Sequence, residues 1–192
     1  MRKSFVLLAC AVVLVPVALL AQKQSPKIDS DFVHQQFGDD FTLLTDFPVS
    51  VGDLDGDGVE DAVIAARCKN PLIDAGGYNY LVIDPYMTFY GYGDPQTTMA
   101  FSKGDPRRSG LVILVIHGAG PDAWRAATPK AKYVIINLPY AQLSVRKLMV
   151  SSKHHKQLMA IYIEENSELK ETSAVYFDGK HYKYMPMGDN MD

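Results

Sequence analysis

Between positions 53 and 61 the chain places Asp53, Asp55, Asp57, Glu60 and Asp61, five carboxylates in nine residues. Charge of one sign at that density repels itself unless something positive sits among the side chains. The spacing offers a solution. Asp53, Asp55, Asp57 and Asp61 stand at positions 1, 3, 5 and 9 of a loop, so their side chains turn inward if the chain curls round a centre. Gly58, at position 6, permits the sharp turn, and the carbonyl of Val59, at position 7, adds one more oxygen. A ligand set of oxygens with this charge suits a hard cation, Ca²⁺ before Mg²⁺. The alternative is a solvated acidic turn that holds no ion.

The first half of the loop, D-x-D-x-D-G, matches an EF-hand. The second half does not. An EF-hand needs a glutamate at position 12, where this chain has Ile64, and a helix on each side. Residues 61–67 are short and apolar and read as a buried strand. Asp61 therefore closes the proposed coordination shell and opens the strand. The pattern D-x-D-G-D-G-x-x-D followed by apolar residues resembles the calcium loops of FG-GAP and VCBS repeats, the units of integrin-like β-propellers. The resemblance covers about 20 residues and one copy of the loop. It implies a calcium site held by Asp53, Asp55, Asp57, Asp61 and the Val59 carbonyl. The order of acidic loop, apolar strand, central strands and aromatic hairpin also looks like small secreted bacterial proteins with one such loop.

Residues 1–21 read as a secretory signal. Arg2 and Lys3 make a positive start, an apolar run follows, and Ala21 is a small residue suited to cleavage. A membrane anchor is the competing reading, but the run is short for a bilayer and ends in polar residues. Secretion, to the periplasm or beyond, is the expected localisation. Losing this segment removes two of 19 basic residues and none of 22 acidic ones, taking the formal charge from −3 to −5. Such a balance speaks against nucleic-acid binding, which favours a basic face. Cys10 would leave with the signal, so Cys68 would have no disulfide partner within the chain.

The remainder reads as a loose leader over 22–28, one β-rich domain over 29–186 and a frayed tail over 187–192. Asp29 or Ser30 caps a short helix over 31–37 that Gly38 ends. Residues 41–47 read as extended, 78–83 as a strand, and 111–116 as a central strand buried on both faces. Further strands are expected at 132–138, 143–150 and 158–163. An Asp178-Gly179 turn closes a hairpin over 173–184. Eight or nine short strands with little helix imply a mainly β fold, an antiparallel sheet assembly or sandwich. Seven propeller blades of about 40 residues each do not fit in the 171 residues that follow the signal-like segment.

Other candidates for chemistry are weaker. A strand ending in His117-Gly118-Ala119-Gly120 resembles the oxyanion segment of α/β-hydrolases, but no G-x-S-x-G elbow exists, so His117 is expected to be structural. His154 and His155 are adjacent and point to opposite faces if extended. Asp84, Asp94 and Asp105 have no spacing that fixes a glycosidase pair. Four rings in seven positions, Tyr86, Phe89, Tyr90 and Tyr92, pin a loop to the core or form a patch for carbohydrate or protein. The expected function is a non-enzymatic, secreted, calcium-binding β module, with that aromatic patch as the alternative. The ligand or surface partner is not specified by the residues.

Overall fold

The computed structural model describes residues 27–92, 110–151, 156–166 and 171–187. The fold is mainly β, as expected, with ten strands in two sheets and a few short helices among the described residues. The expected signal segment, His154, His155, Asp94, Asp105 and residues 188–192 of the tail lie outside the described residues.

The first element is helix α1 (Ser30–Phe37). The Asp29 carboxylate accepts from the amide of Phe32 at 3.0 Å, and Gly38 ends the helix with a positive φ of 104°. Strands β1 (Phe41–Leu43) and β2 (Ser50–Gly52) both run antiparallel to β3 (Asp61–Cys68), one beside each end of it. The expected extended stretch over 41–47 is thus shorter, because the chain turns after Leu44 and Pro48 has no amide to offer a ladder. β3 pairs with β5 (Leu111–His117), β5 with β6 (Ala131–Ile136), and β6 with β4 (Leu81–Ile83). The last pair is parallel. The second sheet is an antiparallel meander of β7 (Gln142–Ser151), β8 (Lys156–Asn166), β9 (Glu171–Phe177) and β10 (Tyr182–Met187). Met187 pairs with Thr172, so this strand reaches the first residue of the expected tail.

Side chains alternate across the first sheet. Ile64, Val112, Leu114, Ile116 and Ile136 face α1 and Trp124. Val63, Ile113, Val115 and Ile135 face Ile161, Ile163 and Val175 of the meander. The central strands are therefore covered on both faces, which is why their sequences run apolar without a break. Each fully buried Ile, Leu or Val contributes about 1.5–3 kcal/mol relative to exposure.

Two local readings change. The strand expected over 78–83 begins only at Leu81. Before it, the one-turn helix α2 (Ala75–Tyr78) ends at Asn79 in the left-handed region, and the Tyr80 amide reaches back to the Ala75 carbonyl. The aromatic stretch opens with helix α3 (Pro85–Phe89), whose cap is the buried Asp84 accepting from the Met87 amide at 2.8 Å. Asp84 also accepts from Asn137. Its carboxylate thus serves the fold, as helix cap and as partner of Asn137.

Candidate metal centre

Gly52 pairs with Asp61 across the β2–β3 ladder, so residues 53–60 form the loop of that hairpin. Leu54 anchors it, only 1% exposed in the core between the sheets. Around that anchor the aspartates divide their work. Asp53 closes the turn, accepting from the amides of Gly56 at 2.8 Å, Asp57 at 3.0 Å and Gly58 at 2.9 Å. Gly56 and Gly58 take positive φ of 77° and 84°, the conformation that the curl needs. Asp61 sits at the start of β3, 1% exposed, and accepts from Leu54 N at 2.7 Å and Gly118 N at 2.8 Å. Burial, with the charges of Asp55 and Asp53 nearby, pushes its carboxyl up to about 6.

The positive group that the charge density demands is partly present in the chain itself. The Lys130 ammonium lies 2.7 Å from Asp55 Oδ2 and 2.6 Å from Asp57 Oδ2. Hydrogen bonding to Asp55 and Asp57 holds the Lys130 pKa up, and the Lys130 bond holds the Asp57 carboxyl below the usual range. Arg125 pairs with Glu60 at 3.3 Å. Among the described residues two cations pair with these five carboxylates, and no ion pair reaches Asp53 or the buried Asp61.

His117, expected to be structural, ends β5 under this loop. It is 2% exposed, with Nε2 2.7 Å from the Tyr182 hydroxyl and Nδ1 3.4 Å from Asp55 Oδ2. Burial lowers its pKa against the pull of Asp55. Burial also keeps the Tyr182 phenol protonated, raising it well above its ordinary value. Charge therefore assigns the tautomer: Tyr182 donates to Nε2, and Nδ1–H faces Asp55. Rings of Tyr133, Phe177 and Tyr182 surround the imidazole at 5.1 to 5.8 Å between centroids.

Of the five residues expected to hold an ion, the structure brings three together. Asp53, Asp55 and Asp61 each offer an oxygen, and those oxygens lie within 4.8 Å of one another. Oxygens on opposite sides of a calcium ion stand up to about 5 Å apart. Lone pairs also allow it. Asp53 Oδ2, Asp55 Oδ1 and both oxygens of Asp61 each accept a hydrogen bond from one backbone amide, and a carboxylate oxygen accepts about two. Asp57 is not in this group; its oxygens are turned to Lys130 and the Val59 amide. Val59 enters the loop as an amide donor to Asp57. Three of the four aspartates, Asp53, Asp55 and Asp61, are grouped closely enough to hold a metal ion.

Sequence reasoning missed Lys130 and His117 as neighbours of the loop. They lie 75 and 62 positions beyond Asp55, and only the β3–β5–β6 pairing carries them there. Comparison with protein-family models, with curated proteins and with solved structures finds no match to this chain.

Proposed function

We propose that the protein is a calcium-binding β module in which the ion braces the β2–β3 loop against the end of β5. The observation that carries the reading is the convergence of Asp53, Asp55 and Asp61 to within 4.8 Å at a point of surplus negative charge. The ion would neutralise that excess and tie the loop to the strand ends that Asp61 already joins through Leu54 and Gly118. The role is structural. The signal-like first 21 residues favour a secreted setting, where calcium near the millimolar range fills even weak sites. A ligand at 100 times its Kd stabilises by about 2.7 kcal/mol. For a chain of this size that raises Tm by roughly 5–10 °C. Thermal unfolding in calcium and in chelator tests it, with Asp55→Ala expected to erase the difference. Superimposed wild-type curves would sink the reading.

A second reading has its own observation. Phe89, Tyr90 and Tyr92 are 50%, 54% and 64% exposed, and Phe89 and Tyr90 stack edge to face at 5.1 Å. Tyr86 is half-buried against Tyr184 and fastens the group to β10. Exposed rings side by side suit the apolar face of a sugar or a protein surface. The triple variant Phe89→Ala, Tyr90→Ala, Tyr92→Ala should then abolish retention on immobilised polysaccharide while leaving the calcium response intact. Equal retention of the variant and the wild type counts against it.

A further inference from the structure

On the other side of the first sheet from the meander, a cavity of about 370 Å³ opens between α1, α2 and the start of β6. Its volume falls in the range of small-molecule sites, about 300–1,000 Å³. Gln35, Gln36, Tyr78, Asn79, Thr128 and Lys132 supply its polar lining, and among the described residues no carboxylate lines it. Lys132 is half-buried, and among the described residues it forms no ion pair. Its ammonium donates to the Gln36 carbonyl at 2.6 Å and stands 5.6 Å from the Phe37 ring centre. Two of its three N–H donors remain for a ligand. Burial without a counter-charge lowers its pKa, the mark of an ammonium short of solvation.

The surroundings set the charge of the ligand. One lysine balances one negative charge. The cavity lies at the C-terminal end of α1, whose dipole opposes any anion, so Lys132 must outweigh it and a second negative charge would find no compensation. A monoanion is favoured over a phosphate dianion. Amide and hydroxyl side chains around the lysine suit a body carrying hydroxyl groups. We infer that this cavity binds a small hydroxylated monocarboxylate of the sugar-acid class, with its carboxylate on Lys132. The inference is independent of the ion at Asp53, Asp55 and Asp61.

Gluconate, glucose and inorganic phosphate are the probes, titrated into the full chain while the amide signals of Gln36, Asn79, Thr128 and Lys132 are followed by NMR. Gluconate should shift them saturably. Glucose, which has the hydroxyls without the charge, should bind about tenfold more weakly or worse, the loss of one charge-assisted hydrogen bond. Lys132→Gln should bring gluconate down to the level of glucose. Shifts that never saturate with gluconate, tighter binding of phosphate, or unchanged binding to Lys132→Gln would each overturn the assignment. If Lys132→Gln does not fold, Thr128→Val at the exposed wall serves instead. A several-fold loss of gluconate affinity there supports the site, and no loss refutes it.

Discussion

Two turns in this chain use the same device. At Asp53 and at Asp178 an aspartate accepts backbone amides from the residues that follow and so holds a glycine-containing turn closed. Asp178 accepts from Lys180 N at 2.9 Å and His181 N at 2.8 Å, and its own amide donates to the His181 carbonyl. Burial would raise the Asp178 carboxyl, but the amides of His181 and Lys180 and the charge of Lys183 outweigh it and hold it low. This turn is complete without an ion. Amide bonds to Asp53 are therefore no argument for calcium. What sets the first turn apart is its setting: further carboxylates, one of them fully buried, and a backbone pressed against a second strand end. The excess charge is what an ion would answer.

The largest difference should appear at the contact with β5. A Cβ built on Gly118 would stand 2.4 Å from the Glu60 carbonyl oxygen and 2.7 Å from a backbone carbon of Ala123. Neither is a side-chain tip that can swing away. Gly118→Ala is expected to cost more than about 3 kcal/mol. Gly179→Ala in the other turn meets nothing within 4 Å and faces only the strain of a positive φ. That change should cost about 1–2 kcal/mol. Equal losses in chemical denaturation would mean that the tight approach at Gly118 is not what fixes the acidic loop.

Next in size is a pH window. Asp61 is raised from 3.8 to about 6 in the folded protein. Between those values the folded state holds a proton that the unfolded state has released. In chelator, stability should therefore climb as pH falls from 6 toward 4, by up to about 3 kcal/mol at 1.36 kcal/mol per pKa unit. Asp57 and Asp178 are shifted the other way, so the stability they lend is lost only as pH falls below 3.8 toward their lowered values. The windows do not overlap. Calcium needs Asp61 ionised, so it should flatten or reverse the climb. Asp61→Asn should remove the climb and the calcium response together. A climb that persists in Asp61→Asn belongs to some other group.

The contrast also shows what a sequence can carry. The acidic loop, the turn at Asp178, the cap at Asp29 and the double-sided burial of 111–116 are local, each fixed by spacing within about a dozen residues. They were legible. The hairpin at Asp178 nonetheless spans four residues, Phe177 pairing with Tyr182, because its carboxylate takes the Lys180 and His181 amides out of the ladder. The parallel pairing of β4 with β6 was not legible, since three residues of β4 carry no mark of their partner. Nor was Lys130, an ordinary exposed lysine by sequence, which becomes the cation of Asp55 and Asp57 only after β5 and β6 align. Its presence explains why Asp57 leaves the group of converging oxygens. Position 5 of the loop is spent on the protein's own ammonium.

Two smaller changes sharpen the comparison. Lys130 is about half exposed, so Lys130→Met should cost about 1 kcal/mol or less in chelator. It should also enlarge the stabilisation by calcium, because Asp55 and Asp57 lose the cation that competes with the ion. An unchanged calcium response would show that lysine and ion do not share their ligands. Asp178→Ala leaves exposed amides that water satisfies, so it should cost only about 0.5–1 kcal/mol. That cost should be the same in calcium and in chelator, since the Asp178 turn has one carboxylate and a lysine near it at 3.9 Å. If Asp178→Ala altered the calcium response as Asp55→Ala is expected to, the ion would be acting on the whole fold through bulk charge. The β2–β3 loop would then have no special claim to it.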